Sequence, residues 1–226
     1  MTGKRIVVAI DGPAGAGKST IARELARRLG YVLVDTGALY RGVALAARAR
    51  DVSWNDGPAL GALARSLDLR FDSAPDGTPL LRIDGTDCAA AIRAPEISMG
   101  ASHVSRHPEV RQALLGIQQR LGQDGGVVLE GRDIGTVVFP NAQAKIFLTA
   151  SPEIRAHRRV DDLKSRGMEA EYDATLRDVQ ARDVQDQNRA VAPLRPAPDS
   201  VVVDSTGLGI DQVIERVVQI TRAAGA

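Results

Sequence analysis

The sequence of 226 residues predicts an α/β fold built on a doubly wound parallel sheet of five strands. Short runs of apolar, often β-branched residues alternate along the chain with longer stretches in which apolar residues recur at helical spacing. The short runs are apolar at consecutive positions, which is typical of strands buried on both faces of a parallel sheet. The predicted strands begin at Ile6, Val32, Val127, Lys145 and Val201.

The first part of the chain predicts two strand and helix units. A strand over 6–10 leads into a helix over 18–29, whose apolar residues lie four apart and which is followed by Gly30 as a C-terminal stop. A second strand over 31–34 precedes an alanine-rich helix that begins at Gly37.

The middle of the chain, from about residue 54 to residue 126, departs from this rhythm. The pairs Asp76-Gly77 and Asp84-Gly85 are hairpin-type turns on either side of the short run 80–83, and they predict a small antiparallel region. Two helices are predicted after it, over 95–104 and 108–121.

The α/β rhythm then resumes, with strands over 127–129, 145–148 and 201–203 and a closing helix from 210 to about 223. Residues 153–189 carry eight Lys or Arg and nine Asp or Glu in mixed order, which is typical of exposed helices with i,i+4 charge pairs. The predicted division of the chain is a core of residues 1–42, 127–151 and 191–226, an insert of residues 43–126, and a helical lid of residues 152–190.

Composition excludes several classes of protein. With 29 Lys and Arg against 28 Asp and Glu, the net charge of +1 leaves no basic surplus for binding nucleic acid, and 3% aromatic residues are few for stacking on single strands. The single cysteine, Cys88, makes an internal disulfide impossible. The first residues show no signal-peptide pattern, and no apolar run reaches the ~20 residues of a membrane helix. We therefore expect a cytoplasmic protein, with neither nucleic acid nor membrane as its partner.

Residues 12–19, Gly-Pro-Ala-Gly-Ala-Gly-Lys-Ser, fit the P-loop pattern GxxxxGK[ST] between the first strand and the first helix. Backbone N–H groups of such a loop surround phosphate oxygens, and the helix N-terminus adds partial positive charge. We expect Lys18 to reach the β- and γ-phosphates and the Ser19 hydroxyl to bind Mg²⁺ directly or through water. The loop residues predicted to bind ATP are Gly12, Pro13, Ala14, Gly15, Ala16, Gly17, Lys18, Ser19 and Thr20.

The P-loop indicates a nucleoside triphosphate but not what is done with it, because GTPases, motor ATPases and small-molecule kinases share the motif. A kinase must neutralise two phosphate-bearing substrates, which requires several arginines in one crevice. Arg41 and Arg132 follow predicted strand ends, and Arg182, Asp186 and Arg189 have the spacing of one helix face. A solvated ladder of salt bridges has the same spacing, so spacing alone leaves that alternative open.

Four segments, GPAGAGKST, LVDTGALYR, EGRDIGTVVFP and ARDVQDQNR followed by AVAPL, resemble those of the bacterial cytidylate kinases, a branch of the nucleoside monophosphate kinases. The resemblance spans essentially the whole chain. It implies transfer of the γ-phosphate of ATP to CMP or dCMP with Mg²⁺ and without a covalent intermediate. It also implies that the insert binds the acceptor and that the lid closes over the site. We take the protein to be a monomer.

The resemblance also implies roles for individual residues. The acceptor site would be lined by Thr36, Tyr40, Arg41, Ser102, Arg111, Arg132, Asp133, Arg182, Asp186 and Arg189. Asp133 would accept from the exocyclic amine of cytosine, and Arg111 and Ser102 would donate to its O2 and N3 atoms. The groups that act on the transferring phosphoryl would be Lys18, Arg132, Arg182 and Arg189.

One departure concerns Gln185 and Gln187, which are neutral where relatives often carry arginines. That charge is either missing or supplied by Arg155, Arg158 and Arg159. Arg155 and Arg159 lie one helical turn apart after the fourth strand, so they either reach ATP from a mobile lid or belong to a surface helix. Among these arginines we select Arg158 as the residue that binds ATP.

Two other functions stay open: a monophosphate kinase with another base preference, and a regulatory P-loop NTPase. Glu130 either helps to organise Mg²⁺ or holds Lys18 or Arg132 in place. Trp54 and Cys88 are interpreted as packing residues.

Overall fold

The computed structural model describes residues 5–74 and 78–226. The strands are β1 (Val7–Asp11), β2 (Val32–Asp35), β3 (Leu69–Ser73), β4 (Pro79–Ile83), β5 (Thr86–Asp87), β6 (Val127–Gly131), β7 (Ala144–Thr149) and β8 (Val201–Asp204). The α-helices are α1 (Lys18–Leu29), α2 (Thr36–Ala49), α3 (Gly57–Ser66), α4 (Pro95–Val104), α5 (Pro108–Gly122), α6 (Pro152–Ser165), α7 (Tyr172–Gln187) and α8 (Ile210–Ala223). A 3₁₀ turn spans Ala91–Arg93, and a π-helical segment spans Ile134–Val138.

The main sheet has five parallel strands in the order β2-β6-β1-β7-β8, which confirms the predicted doubly wound architecture. Alternate residues of β1 enter two different cores. Val8 and Ile10 pack with α1 and α8, whereas Val7 and Ala9 pack with the π-helical segment. Burial on both faces explains the continuous apolar runs of the sequence. Because the strands are parallel, the carboxyl ends of β1, β2 and β6 meet at one edge of the sheet.

A separate hydrophobic core lies between helices α2 to α5 and an antiparallel sheet with the order β3-β4-β5. This sheet confirms the predicted antiparallel region. The predicted turn at Asp84 and Gly85 joins β4 to β5 with φ angles of 51° and 81°, while the predicted turn at Asp76-Gly77 lies outside the described residues. Helix α2 runs continuously through the predicted boundary between residues 42 and 43, so one helix belongs to both the core and the insert.

The sequence prediction missed α3 and β3 and placed several strand ends one or two residues away from their observed positions. Helix α3 begins at a recognisable cap, because the Asp56 carboxylate accepts from the Ala59 N–H at 3.0 Å. Its glycines lower helix propensity, but Gly61 allows α5 to approach closely. A Cβ at Gly61 would lie 2.4 Å from the Cβ of Glu109. Tertiary packing here outweighs local propensity.

The charged stretch over residues 153–189 contains nearly all of α6 and the whole of α7, which confirms the prediction of helices there. The two helices pack against each other at the edge of the sheet that holds the P-loop. Throughout residues 5–74 and 78–226, no helix combines the length and apolarity needed to cross a membrane.

Candidate active site

A cavity of about 730 Å³ lies at the carboxyl ends of β2 and β6. Its wall is formed by the P-loop, the first turns of α2, the facing sides of α4 and α5, and helices α6 and α7. All the predicted acceptor-binding residues line it: Thr36, Tyr40, Arg41, Ser102, Arg111, Arg132, Asp133, Arg182, Asp186 and Arg189. Residues 14–20 of the P-loop and Arg158 line the same cavity. The fold therefore brings together side chains from six separate segments of the sequence.

The P-loop is shaped by glycines with positive φ. Gly12 has a φ of 149°, and a Cβ there would lie 1.9 Å from the carbonyl oxygen of Leu148 in β7. Gly12 therefore permits a close approach between the loop and the neighbouring strand, and it lies outside the cavity lining, as does Pro13. Gly15 and Gly17 have φ angles of 77° and 91°, and Gly17 precedes the first residue of α1. Only glycine adopts such angles readily.

The ammonium group of Lys18 is buried at the base of the cavity and donates to the carbonyl oxygen of Pro13 at 2.7 Å. Burial lowers the pKa of Lys18, and the nearby Arg132 lowers it further, while Glu130 and Asp186 oppose the change. The hydrogen-bond partner of this buried ammonium group is a neutral carbonyl, which does not balance its positive charge. An anionic ligand in the cavity would add the negative charge that favours the protonated lysine.

Glu130 connects the P-loop helix to β6. Its carboxylate accepts from the Ser19 hydroxyl at 2.8 Å, and its backbone carbonyl accepts from the Thr36 hydroxyl at 2.7 Å. Burial raises the pKa of Glu130, Asp35 raises it further, and Lys18 opposes the shift. The hydroxyl and carboxylate oxygens of Ser19 and Glu130 are hard ligands of the kind that Mg²⁺ prefers, so this donor set fits the ion.

Asp11 ends β1 but does not line the cavity. Its carboxylate accepts from the backbone N–H groups of Ile134 and Gly135 at 2.8 and 2.7 Å. These two bonds fix the start of the π-helical segment immediately after Asp133. Asp11 thus positions the chain that carries Arg132 and Asp133 into the cavity.

Arg111 and Asp133 form a buried ion pair on the wall of the insert. Arg111 also donates to the backbone carbonyl of Ser105 at 3.3 Å and lies 5.5 Å from the centre of the Tyr40 ring. Burial raises the pKa of Tyr40. The pair places a hydrogen-bond donor, Arg111, beside an acceptor, Asp133. This arrangement matches the edge of a planar ring that carries an acceptor beside a donor.

Arginines surround the space between the P-loop and this ion pair. Arg132 donates to the Asp186 carboxylate at 2.9 Å, and Arg189 lies 3.9 Å from it. Burial opposes ionisation of Asp186, but Arg132 and Arg189 outweigh it and lower the pKa of this carboxyl. Helix α7 ends at Gln187, so Arg189 reaches the cavity from just beyond the helix. Arg182 also lines the cavity and is a residue of α7 itself.

Several guanidinium nitrogens around the cavity are buried without a hydrogen-bond partner in the part of the chain that the structure describes: Arg41 Nε, Arg182 Nε, and Arg189 Nε and Nη2. Burial, followed by the proximity of Arg132, lowers the pKa of Arg182, and burial lowers the pKa of Arg189. Arg41 is additionally paired with the Asp35 carboxylate at 2.6 Å. Unpaired buried donors of one charge sign are suited to an anion with many acceptor oxygens.

Arg155 occupies a position that the sequence did not predict. Its side chain is buried, pairs with Asp183 of α7, and donates to the carbonyl oxygens of Ala150 and Ala14 at 2.9 and 3.2 Å. It therefore connects α6 and α7 to the P-loop instead of facing the cavity. The prediction that Arg155 faces either ATP or solvent is wrong, because its guanidinium is used inside the protein.

Arg158, which the sequence predicted to bind ATP, lines the cavity and donates to the hydroxyl and carbonyl oxygens of Ser205 at 3.1 and 3.0 Å. Asp162 and Arg166, which sequence reasoning missed, line the same cavity as Arg159, and the Asp162 carboxylate pairs with both arginines. The spacing of three and four residues around Asp162 was the available signal, but it is equally typical of surface helices.

Trp54 packs in the insert core and donates to the Ala44 carbonyl at 3.1 Å, which confirms its packing role.

A five-stranded parallel sheet with a P-loop after its central strand, facing a pocket of arginines, defines a P-loop protein that binds phosphorylated ligands. The family model described as cytidylate kinase matches residues 8–223. The chain is 50% identical over 217 residues to the cytidylate kinase of Syntrophotalea carbinolica, covering 96% of this chain and 92% of that protein. It is 48% identical to the cytidylate kinase of Pasteurella multocida, covering 93% of this chain and 92% of that protein. The chain belongs to the cytidylate kinase family.

Among solved structures, a gluconokinase from Sinorhizobium meliloti aligns over 98% of this chain and 94% of its own, with a TM-score of 0.49 and 16% sequence identity.

Proposed function

We propose that this protein transfers the γ-phosphoryl group of ATP to CMP or dCMP, forming ADP and CDP or dCDP. The observation that carries the proposal is a single cavity with a P-loop at one end, the Arg111–Asp133 pair at the other, and partly unpaired arginines between them. Two phosphorylated ligands placed end to end would match this order of groups. The family membership of the chain supports the same reaction.

The donor would bind with its phosphates in the P-loop. Lys18 and the first turn of α1 offer positive charge there, and Arg158 lies beside the loop, where its guanidinium also donates to the Ala16 carbonyl at 3.4 Å. Ser19 and Glu130 would hold Mg²⁺ together with phosphate oxygens. When bound, the ion would neutralise charge on the β- and γ-phosphates.

The acceptor phosphate would lie among Arg41, Arg132 and Arg189, and the ribose against Arg182 and Asp186. Arg132 and Asp186 already hold each other in place, so the guanidinium needs little reorganisation to meet a phosphate. The nitrogens of Arg189 that lack partners in the described residues are available for the same purpose. This arrangement supports catalysis by positioning and charge neutralisation.

The base would meet the Arg111–Asp133 pair and Ser102. Cytosine presents an amine donor beside the N3 and O2 acceptors, so Asp133 can accept from the amine while Arg111 donates to the ring. Uracil carries an oxygen in place of the amine. That oxygen and the Asp133 carboxylate are both hydrogen-bond acceptors, so their lone pairs would repel each other. The pair therefore supports selection of cytosine over uracil.

In the reaction, a phosphate oxygen of CMP attacks the γ-phosphorus of ATP, and the bond from that phosphorus to the β–γ bridging oxygen breaks, releasing ADP. The attacking group is already an anion, so no strong general base is required. Lys18, Arg132, Arg182 and Arg189 would stabilise the phosphoryl group in transit. Residues 152–190 would act as a lid that excludes water, and residues 43–126 as the acceptor-binding insert. The proposed working unit is a monomer in the cytoplasm.

The proposal is tested by incubating the protein with ATP, Mg²⁺ and CMP and separating the products by anion-exchange chromatography. We expect ADP and CDP in equal amounts, with little inorganic phosphate. The regulatory NTPase alternative predicts ADP and inorganic phosphate whether or not CMP is present. That second outcome would contradict the proposal.

A further inference from the structure

Gln185 of α7 connects the lid to the insert through a side-chain amide with a defined orientation. Its Oε1 atom accepts from the Arg106 guanidinium. Its Nε2 atom donates to the hydroxyl oxygen of Ser102 at 2.6 Å and to the Ser102 carbonyl at 2.9 Å. Because an arginine can only donate, the amide oxygen must face Arg106 and the amide nitrogen must face Ser102.

This contact restricts what the Ser102 hydroxyl can do. A free serine hydroxyl rotates and can either donate or accept a hydrogen bond. The bond from Gln185 occupies a lone pair of the Ser102 oxygen, which favours conformations in which the hydroxyl hydrogen is donated to another group. Ser102 lines the same cavity as Arg111 and Asp133, so that hydrogen is available to a base placed there.

We propose that Gln185 is a positioning residue that holds Ser102 as a hydrogen-bond donor toward the pyrimidine ring. The inference deepens the proposed function and rests on it. At N3, cytosine has an acceptor where uracil has an N–H donor, so a serine fixed as a donor fits cytosine and opposes uracil. Gln185 thus contributes to base selection without touching the base, at a position the sequence marked only as lacking an arginine.

The substitution Gln185→Glu tests this directly, because it keeps the shape of the side chain and its contact with Arg106. A carboxylate can only accept, so it draws the Ser102 hydrogen toward itself and turns a lone pair toward the base. We expect KM for CMP to rise roughly tenfold, with kcat changed less than about twofold. The preference for CMP over UMP, measured as the ratio of kcat/KM values, should fall by at least about tenfold.

Gln187→Glu is the matched control, because it introduces the same charge on an exposed position of the same helix. A second control combines Gln185→Glu with Ser102→Ala. In that background the substitution at residue 185 should leave the CMP to UMP ratio unchanged, because its effect passes through the Ser102 hydroxyl.

The inference is overturned if Gln185→Glu alters the ratio no more than Gln187→Glu does, or if it alters the ratio equally with Ser102→Ala present. Circular dichroism and thermal unfolding confirm that each variant is folded. Failure of the unmodified protein to form CDP would instead overturn the proposed function, and this inference with it.

Discussion

Ser19 and Glu130 are joined by a hydrogen bond of 2.8 Å from the serine hydroxyl to the carboxylate, across 111 residues of sequence. The bond ties the first turn of α1 to the carboxyl end of β6 at the point where the donor phosphates would bind. Burial raises the pKa of Glu130, so its negative charge is costly without a nearby cation. Lys18 partly supplies that cation, and Mg²⁺ would complete it.

Replacing Glu130 by Gln should therefore weaken the response to Mg²⁺ while preserving the fold. The amide oxygen can still accept from Ser19, and a costly buried charge is removed. We expect the Mg²⁺ concentration for half-maximal activity to rise by about tenfold or more. A titration of activity with Mg²⁺ at fixed ATP measures it. Glu153→Gln, on the exposed start of α6, is the control. An unchanged Mg²⁺ requirement in folded Glu130→Gln protein would remove Glu130 from the metal site.

Replacing Lys18 by Ala should reduce turnover far more than stability. The ammonium group has a buried position and a pKa lowered by that burial, so removing it relieves a desolvation cost while deleting charge next to the transferring phosphoryl. We expect kcat to fall by roughly 10² to 10³. Lys164→Ala, on the exposed side of α6, should be nearly silent. Steady-state kinetics and urea unfolding of both variants measure the two effects, and near-normal turnover of folded Lys18→Ala protein would refute the assigned role.

Replacing Arg189 by Ala should reduce the thermal stabilisation that the protein gains when it binds CMP. In the described structure two of its buried nitrogens have no partner, and CMP phosphate would supply acceptors. The rise in melting temperature produced by saturating CMP should be smaller in Arg189→Ala than in the unmodified protein. Arg177→Ala, at an exposed position of helix α7, should keep the full rise. Equal CMP-induced shifts in all three proteins would show that Arg189 does not bind the acceptor.

The sequence predicted the P-loop and many of the side chains that line the cavity, because these residues lie in contiguous segments with their own patterns. It did not predict which charges pair. Arg155 could be assigned to ATP or to solvent from its spacing, yet it binds Asp183 and the P-loop backbone. Gln185 meets Ser102 across 83 residues of sequence, a contact that exists only after α7 packs beside α4. Such partners are set by the relative placement of elements, which local periodicity does not contain.

Asp11 should give the protein a distinct pH dependence of stability. Burial raises its pKa to about 6 from the ordinary value of 3.8. Between these two pKa values the folded chain holds a proton on Asp11 that the unfolded chain has released. The stabilisation of the folded state that this proton provides is therefore present at low pH and is lost as the pH rises through about 6. A shift of this size corresponds to about 3 kcal/mol.

The variant Asp11→Asn lacks this titration. The free energy of unfolding of the unmodified protein minus that of Asp11→Asn should therefore decrease by up to about 3 kcal/mol between about pH 4 and about pH 7. Urea unfolding of both proteins across this range measures it. A difference that stays constant, or that grows with pH, would show that the buried carboxyl titrates at its ordinary pKa or below.

We propose that the cavity selects a cytosine monophosphate as acceptor. The most direct test of this proposal is the rate of ADP formation from ATP and Mg²⁺ with CMP, dCMP, UMP, AMP or GMP as the only monophosphate. The Arg111–Asp133 pair predicts that CMP and dCMP are phosphorylated with kcat/KM at least about a hundredfold above UMP. Faster phosphorylation of AMP or GMP than of CMP, or ADP formation that needs no monophosphate, would show that the cavity does not select CMP as the acceptor.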